Sequence, residues 1–277
     1  MVFLNGKFVA SDEARIAVDE PGFLYGWGIF ETMRACRQKI VYLDAHLKRL
    51  RKGAALISLQ CPYQAARLKK IIRQVVETNG LADCQVRVSL WKAKTNSGIL
   101  ITAGKYRPYT GQKYKSGFSA CVSGYCQNAG AMLARLKTMN HLFYRLASLE
   151  AGKKHCDEAI ILNHQGCIAE ASRSNIFFVK NNRLFTPALE CGCLDGITRG
   201  AILDLAGKQQ IEVCQGNFKL QDLYDAEEAF LTNSLMGVMP LAFVEGHRIG
   251  KGSGRFALTR QLGEKYNYLL KHGAAGS

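Results

Sequence analysis

Several features are missing from this chain of 277 residues, and each absence excludes a class of protein. No apolar run approaches the roughly 18 residues of a membrane span, so no membrane partner is expected. The first ten residues, MVFLNGKFVA, lack the charged and then apolar layout of a secretion signal. We therefore expect a cytoplasmic protein.

A metal site and a disulfide framework are also not expected. The ten cysteines are scattered through apolar segments, as Cys84, Cys121 and Cys167 are. Buried thiols in a reducing compartment explain this spacing better than disulfides do. The tightest pair, Cys191 and Cys193, has no second cysteine or histidine pair at ligand spacing, so the sequence predicts no metal site.

The formal net charge of +15 raises the question of a nucleic-acid partner. The basic residues are spread along the chain, without a basic tail or an aromatic and basic nucleic-acid motif. A solvated positive surface is one interpretation, and attraction of an anionic small-molecule substrate is the other. We expect no nucleic-acid partner.

The patterns that are present predict an α+β protein of two domains. Residues 1–105 combine a hairpin, two amphipathic helices and alternating strands, which indicates a small α+β domain. Residues 106–116 are polar, basic and interrupted by proline and glycine, so we expect a linker there. Residues 117–277 form a larger domain rich in apolar strands.

Residues 157–199 contain the groups most suited to chemistry. Glu170 ends an apolar strand, where an inward carboxylate must be paired or protonated. It is either an arginine-paired structural residue or the partner of a ligand. A helix begins after Gly196, and its amides would bind phosphate, although Asp195 or Thr198 would also make an ordinary helix cap. Residues 232–235 add polar donors at a strand end.

Lys137 stands at the entrance to an apolar helix, in the segment RLKTMNH. A lysine in a partly dry pocket would act as a nucleophile towards a carbonyl group and as a proton shuttle. The alternative is a solvated side chain, and nothing in the local spacing distinguishes Lys137 from its neighbours.

These pieces occur together and in order, and the chain resembles the class IV aminotransferases, the fold type IV family of pyridoxal-phosphate enzymes. The motifs that carry the resemblance are YGWGIFETMR, HLKRL, LKTMNHL, GCIAEASRSNIFFV, GCLDGITR and EEAFLTNSLMGVMPL. It implies a D-amino-acid or branched-chain aminotransferase-like fold, with a small α/β N-terminal domain. The larger, β-barrel-like C-terminal domain would hold the cofactor lysine and glutamate, and the protein would be a homodimer.

The resemblance also implies pyridoxal 5'-phosphate as the cofactor and a set of site residues. Lys137 would bond covalently to the cofactor, and Thr32 would relay a proton as the second catalytic residue. Besides Lys137, the cofactor contacts implied are Arg49, Ser234, Ile197 and Thr198 for the phosphate, the last two at the helix end. Glu170 would lie at the pyridine nitrogen, and Asn175 and His141 would be further contacts. The substrate side would be lined by Tyr25, Phe30, Arg87, Asn233 and Leu235.

Three activities of this family are candidates: aminodeoxychorismate lyase, branched-chain aminotransferase and D-amino-acid aminotransferase. Branched-chain enzymes usually carry a Gly-Thr-Ala run where this chain has TNSLMG, and tyrosines near the positions of His141 and Gln85. The arginine-then-histidine loop of D-amino-acid enzymes is missing from residues 92–110. The segment TNSLMGVMPL, in which asparagine and serine precede an apolar pair, instead resembles 4-amino-4-deoxychorismate lyase, which would release pyruvate and 4-aminobenzoate for folate synthesis. A branched-chain or D-amino-acid aminotransferase, and a non-catalytic binding protein on the same fold, remain the alternatives.

Overall fold

The computed structural model describes residues 1–250 and 256–272, which divide into two compact units. Of the described residues, unit 1 comprises Met1–Arg107, Leu136–Asn140 and residues 269–272. Unit 2 comprises Pro108–Arg135 and His141–Tyr268. Both units combine helices with a mainly antiparallel sheet, and the predicted α+β fold class is confirmed.

Unit 1 is built on an antiparallel sheet of six strands, in the order β2-β1-β6-β5-β3-β4. The strands are β1 (Val2–Leu4), β2 (Lys7–Val9), β3 (Gly28–Cys36), β4 (Lys39–Ile40), β5 (Cys84–Lys92) and β6 (Ser97–Lys105). The helices are α1 (Pro21–Tyr25), α2 (Leu43–Leu56) and α3 (Ala65–Thr78). Helices α2 and α3 pack on the sheet, chiefly against β3 and β6.

The core of unit 1 follows from two periodicities. In α3 the buried residues Leu68, Ile72 and Val75 recur at helical spacing, so one stripe of the helix faces the sheet. In β5 the buried Val86 and Val88 alternate with residues of the opposite face. These side chains belong to one apolar cluster, which fixes the face that each strand turns towards the helices.

Unit 2 is built on a larger sheet, in the order β12-β11-β10-β13-β14-β7-β8-β9, with a short strand β15 on β14. Its first elements are α4 (Gly111–Ser116), β7 (Phe118–Val122), α5 (Leu142–Lys153), β8 (Glu158–Leu162), β9 (Ile168–Ala171), β10 (Asn175–Lys180) and β11 (Arg183–Pro187). The later ones are α6 (Ile197–Lys208), β12 (Val213–Gly216), α7 (Leu220–Tyr224), β13 (Glu228–Asn233), β14 (Gly237–Val244), β15 (His247–Arg248) and α8 (Ala257–His272), whose residues from Leu269 belong to unit 1. Strand β9 also contacts β10 and β11, so the sheet curls into a half-barrel.

Two features differ from the expected division of the chain. Residues 111–116 of the predicted linker form α4, because the Thr110 hydroxyl caps the amide of Lys113 at 3.2 Å. Residues 136–140, which include Lys137, belong to unit 1 and not to the second unit. The expected domain that would hold both Lys137 and Glu170 is therefore corrected: only Glu170 lies in unit 2.

Three general properties complete the description. Each of the ten cysteines is a free thiol. Across residues 1–250 and 256–272, no three histidine, cysteine, aspartate or glutamate side chains are grouped as a metal site would require. Within those same ranges, no helix combines the length and the apolar character needed to cross a membrane.

Candidate active site

Strand β3 places chemically different residues on its two faces. Ile29 and Met33 belong to the apolar core under the helices, so Phe30 and Thr32 lie on the opposite face of the sheet. Thr32 is directly opposite Arg87 on the neighbouring strand β5. The strand register therefore brings together three of the predicted catalytic and substrate-side residues.

Two cations lie over the ring of Phe30. The Arg87 guanidinium carbon is 3.7 Å from the ring centroid, and the Lys137 Nζ atom is 4.7 Å from it. Arg87 also donates from Nε to the hydroxyl of Ser89 at 3.2 Å. Although the Arg87 side chain as a whole is exposed, desolvation of the guanidinium lowers its pKa from 12.5, which leaves it charged at neutral pH. An anionic group would be attracted to this face.

Lys137 is held in unit 1 by backbone hydrogen bonds to β3. The amide of Phe30 donates to the Lys137 carbonyl at 2.9 Å, and the amide of Met139 donates to the Gly28 carbonyl at 2.8 Å. Thr138 forms an antiparallel bridge with the same strand. Residues 137–139 thus act as a short extra strand beside β3, and this pairing positions the half-buried Lys137 side chain near Phe30.

The glycines before β3 allow a close approach by the same segment. Gly26 ends α1 with a φ of 62°, and a Cβ atom there would lie 2.5 Å from the amide oxygen of Asn140. At Gly28 a Cβ would lie 2.4 Å from the sulfur of Met139. Tyr25, predicted on the substrate side, is the last residue of α1 and is 70% exposed.

The other face of β3 carries a buried carboxylate that the sequence analysis did not single out. Glu31 is 1% exposed and accepts hydrogen bonds from Arg49 Nε and Nη2, each at 2.7 Å. His46 Nδ1 lies 2.7 Å from the same carboxylate. Burial favours the protonated acid, but the hydrogen bonds from His46 and Arg49 outweigh it and lower the pKa of Glu31 to about 2. Glu31 is therefore ionised.

Arg49, predicted to bind the cofactor phosphate, makes a bidentate pair with Glu31 in this structure. Its Nε and Nη2 atoms are bound to Glu31, because a buried carboxylate must be neutralised by donors. Burial lowers the pKa of His46, an effect that the charge of Lys137 reinforces and that Glu31 only partly offsets. A neutral His46 then donates one hydrogen bond to Glu31, and the pair fixes the Arg49 guanidinium.

Glu170 lies in unit 2, at the end of β9, and is 5% exposed. Its Oε1 atom accepts a hydrogen bond from the Tyr144 hydroxyl at 2.9 Å, and Oε2 accepts one from the Leu194 amide at 3.1 Å. The nearby Arg173 forms its ion pair with the buried Glu158, at 3.6 Å. Glu158 is thus a buried structural glutamate paired with an arginine, which was one of the two interpretations of Glu170.

The loop before α6 links Glu170 to the beginning of that helix. Leu194 donates its amide to Glu170, and its carbonyl accepts a hydrogen bond from Asn175 Nδ2 at 2.8 Å. Gly196 follows as the N-cap of α6, without a side-chain cap. Thr198, expected either to bind phosphate or to cap the helix, is buried in the first turn, and its hydroxyl lies 3.3 Å from that of Tyr266.

The turn after β13 is closed by Asn233. Its Oδ1 atom accepts hydrogen bonds from the amides of Leu235 at 3.0 Å and Met236 at 2.8 Å. Asn233 Nδ2 donates to the Arg173 carbonyl at 3.1 Å. The Leu235 amide and the Asn233 side chain, both expected on the substrate side, are thus bonded to each other, as an asparagine turn requires. Half-buried Ser234 lies between them.

His141 is the remaining predicted cofactor contact. It precedes α5 as the N-cap residue and gives no side-chain cap. Its ring stacks on Tyr144, with a centroid separation of 4.9 Å and an angle of 29°. The structure thus connects His141 to Glu170 through Tyr144, a residue that the sequence analysis did not name.

The residues that sequence reasoning missed are Glu31, His46, Tyr144 and Gln127, whose Nε2 atom donates a hydrogen bond to the Tyr144 hydroxyl oxygen at 2.6 Å. A charged residue inside a buried strand signals a required partner, so Glu31 could have been found from its position in GIFETM. His46 and Arg49 are one turn apart on α2, which was a second available signal.

Comparison with known proteins adds the family. Residues 28–243 match the model of the family described as amino-transferase class IV. The chain is 29% identical to the aminodeoxychorismate lyase of Bacillus subtilis, over 95% of this chain and 92% of that protein. It is 28% identical to the D-alanine aminotransferase of Listeria innocua, over 98% of this chain and 95% of that one.

A solved structure gives the same result at the level of the fold. The branched-chain aminotransferase of the archaeon Thermoproteus uzoniensis, crystallised with norvaline, superposes with a TM-score of 0.90. Its sequence is 29% identical, and the match covers 97% of this chain and 94% of that one. These similarities span three activities and one architecture. The chain belongs to the class IV aminotransferases, a family of pyridoxal-phosphate-dependent enzymes.

Proposed function

We propose that this enzyme removes pyruvate from 4-amino-4-deoxychorismate and leaves 4-aminobenzoate, a precursor in folate synthesis. The observation that carries the proposal is the pair formed by Thr32 and Arg87, which face each other across β3 and β5. Release of pyruvate requires a cation for a substrate carboxylate and a proton donor for the leaving oxygen. The guanidinium and the hydroxyl supply these two groups, with Lys137 on the same aromatic ring.

The residues of unit 2 fit the cofactor of the family at both of its ends. At the ring end, Glu170 is a buried carboxylate whose two oxygens accept hydrogen bonds from donors, as an anion requires. At the phosphate end, the N-cap of α6 is Gly196, which offers no side-chain cap, so an anion could accept hydrogen bonds from the first amides of the helix. The buried hydroxyl of Thr232, on the strand β13 that packs against α6, lacks a hydrogen-bond partner.

We assign the cofactor contacts accordingly. Glu170 would pair with the protonated pyridine nitrogen, while Asn175 and His141 would support the loop and the ring on that side. Lys137 would bond to the cofactor. The groups proposed for the phosphate are the amides and side chains of Ile197 and Thr198, the hydroxyl of Ser234 and the guanidinium of Arg49.

Each catalytic residue has a task that its surroundings support. Bound pyridoxal phosphate withdraws electrons from the substrate's α-carbon. Lys137 Nζ would remove the α-proton, and the Phe30 ring beside it would keep water away from that atom. Thr32 would pass a proton to the leaving oxygen. Arg87 would hold a carboxylate. Tyr25, Phe30, Asn233 and Leu235 are the other residues proposed for the substrate side.

A branched-chain aminotransferase is the second candidate, favoured by the structural match to the Thermoproteus uzoniensis enzyme. The turn after β13 supports the lyase instead, because Asn233 occupies the amides of Leu235 and Met236. A Gly-Thr-Ala turn has no such side chain to occupy these amides. A substrate carboxylate would have to displace Asn233 to reach them, so Arg87 is the better anchor.

We further propose that the enzyme acts as a homodimer in the cytoplasm. Helix α5 has an exposed apolar stripe of Leu142, Leu146 and Leu149, which recur at helical spacing. Such a stripe on a surface is typical of an interface with another protein chain. Light scattering of the purified protein would give the mass of two chains, and Leu146→Glu would lower it to one. A single-chain mass for the unmodified protein would refute the dimer.

The experiment that tests the activity compares two threonines beside Arg87. Thr32 and Thr102 are its partners on the two neighbouring strands, and a valine variant of either replaces only the hydroxyl with a methyl group of similar size. We expect the unmodified enzyme to form 4-aminobenzoate and pyruvate in equal amounts. The kcat of this reaction should fall about 100-fold in Thr32→Val and change little in Thr102→Val. Transamination of leucine or D-alanine, with no 4-aminobenzoate formed from 4-amino-4-deoxychorismate, would contradict the proposal.

A further inference from the structure

Tyr144 forms the middle of a hydrogen-bond chain that ends at Glu170. The Gln127 Nε2 atom donates to the Tyr144 oxygen at 2.6 Å, and the Tyr144 hydroxyl donates to Glu170 Oε1 at 2.9 Å. All three residues lie within unit 2. Tyr144 contacts the carboxylate directly, and Gln127 reaches it through Tyr144.

The direction of this chain is fixed by its first member. The Gln127 amide nitrogen also faces the Gly192 carbonyl at 3.4 Å, and a carbonyl is only an acceptor. The nitrogen, and not the oxygen, of the Gln127 amide must therefore point towards Tyr144. Since a phenol has one proton and its oxygen accepts from Gln127, that proton is directed to Glu170.

The second oxygen of Glu170 accepts the Leu194 amide at 3.1 Å, so donors contact both sides of the carboxylate. Donors of this kind favour the ionised acid. Burial raises the pKa of Tyr144, and the charge of Glu170 raises it further, so the phenol keeps its proton throughout the usable pH range. The hydrogen bond is therefore always donated towards the carboxylate.

We propose that Tyr144, oriented by Gln127, is a positioning residue that holds Glu170 as an ionised acceptor for the pyridine nitrogen of the cofactor. The inference rests on the proposed role of Glu170 and adds the device that maintains its charge. Loss of the phenol hydroxyl should weaken the interaction of Glu170 with the ring nitrogen, while the aromatic stack on His141 remains.

The test measures a preference between two cofactors and does not depend on turnover. Apoprotein is titrated with pyridoxal 5'-phosphate and with its 1-deaza analogue, which has carbon in place of the ring nitrogen. Only the first compound can be recognised by Glu170, so the ratio of the two dissociation constants isolates that contact. A change that merely loosens the fold would weaken both compounds equally and leave the ratio unchanged.

Three variants are compared with the unmodified protein. Glu170→Gln should abolish the preference, and Tyr144→Phe should reduce it about tenfold, because a hydrogen bond to a charged group is lost. Tyr125→Phe is the matched control, because Tyr125 is exposed and contacts Phe143 edge-on. The cofactor preference of this variant should equal that of the unmodified protein. Gln127→Met should give a smaller reduction and serves in place of Tyr144→Phe if that variant does not fold.

The outcomes separate the two proposals. An unmodified protein without preference, or a Glu170→Gln variant that retains it, refutes the proposed role of Glu170. A preference that Glu170→Gln abolishes and Tyr144→Phe leaves intact refutes only the role of Tyr144. An equal loss of affinity for both compounds in Tyr144→Phe shows a structural role and also refutes the inference.

Discussion

The buried cluster of Glu31, His46 and Arg49 leads to a quantitative prediction about stability and pH. The pKa of Glu31 falls from 4.5 to about 2, because hydrogen bonds from His46 and Arg49 outweigh the cost of burial. This difference corresponds to about 3 kcal/mol in favour of the ionised, folded form. The stabilisation is present above pH 4.5, the value of the unfolded chain, and disappears as the pH falls towards 2.

Replacing Glu31 with glutamine keeps the shape of the side chain and removes its charge. We expect the free energy of unfolding at pH 7 to fall by about 3 kcal/mol, since Arg49 would remain partly buried without its anion. The difference between variant and unmodified protein should shrink between about pH 5 and pH 2, as the unmodified Glu31 takes up its proton.

Urea unfolding followed by tryptophan fluorescence measures this effect selectively. The chain has two tryptophans, Trp27 and Trp91, and both lie in unit 1 with Glu31. Glu77→Gln is the control, because Glu77 is exposed on α3 and its replacement should change the free energy by less than about 0.5 kcal/mol. Equal stability of the Glu31 and Glu77 variants at pH 7, or a difference that does not depend on pH, would refute the account of this cluster.

Two further substitutions test the site. Gly196→Ala should destabilise the protein by about 1–3 kcal/mol in thermal unfolding, because a Cβ there would clash with the Asn175 amide oxygen. Gly200→Ala, on the same helix, is the control: its Cβ would meet no atom within 4 Å, and the substitution should stabilise the protein. Arg87→Lys should raise KM for the anionic substrate about tenfold, with a smaller effect on kcat, since lysine cannot reproduce a bidentate contact. Arg73→Lys, on the exposed side of α3, is the control and should change neither constant. A destabilised Gly200 variant, or an unchanged KM for Arg87→Lys, would contradict these explanations.

Much of the fold could be predicted from local pattern. The alternation in β5 and the helical stripe of α3 each specify which face is buried, and the structure has the same faces. The Asn5-Gly6 turn joins β1 and β2, with positive φ at both residues. Such features depend on neighbours in sequence, so the sequence contains them directly.

The features that could not be predicted from the sequence depend on contacts between distant segments. Lys137 lies in unit 1 because its backbone pairs with Phe30 on β3, and no local pattern near Lys137 indicates that partner. Arg49 is bound by Glu31 because α2 packs on β3, which the spacing of HLKRL does not reveal. Tyr144 reaches Glu170 only after α5 and β9 have been brought together by the fold of unit 2.

The central claim is that Lys137 bonds to pyridoxal phosphate, and one measurement tests it most directly. The purified protein, reconstituted with the cofactor, is reduced with borohydride, digested and mapped by mass spectrometry. We expect the visible absorption band to disappear and the phosphopyridoxyl group to be found on the peptide that contains Lys137. A group on another lysine, or a reducible band that persists in the Lys137→Ala variant, would contradict the account.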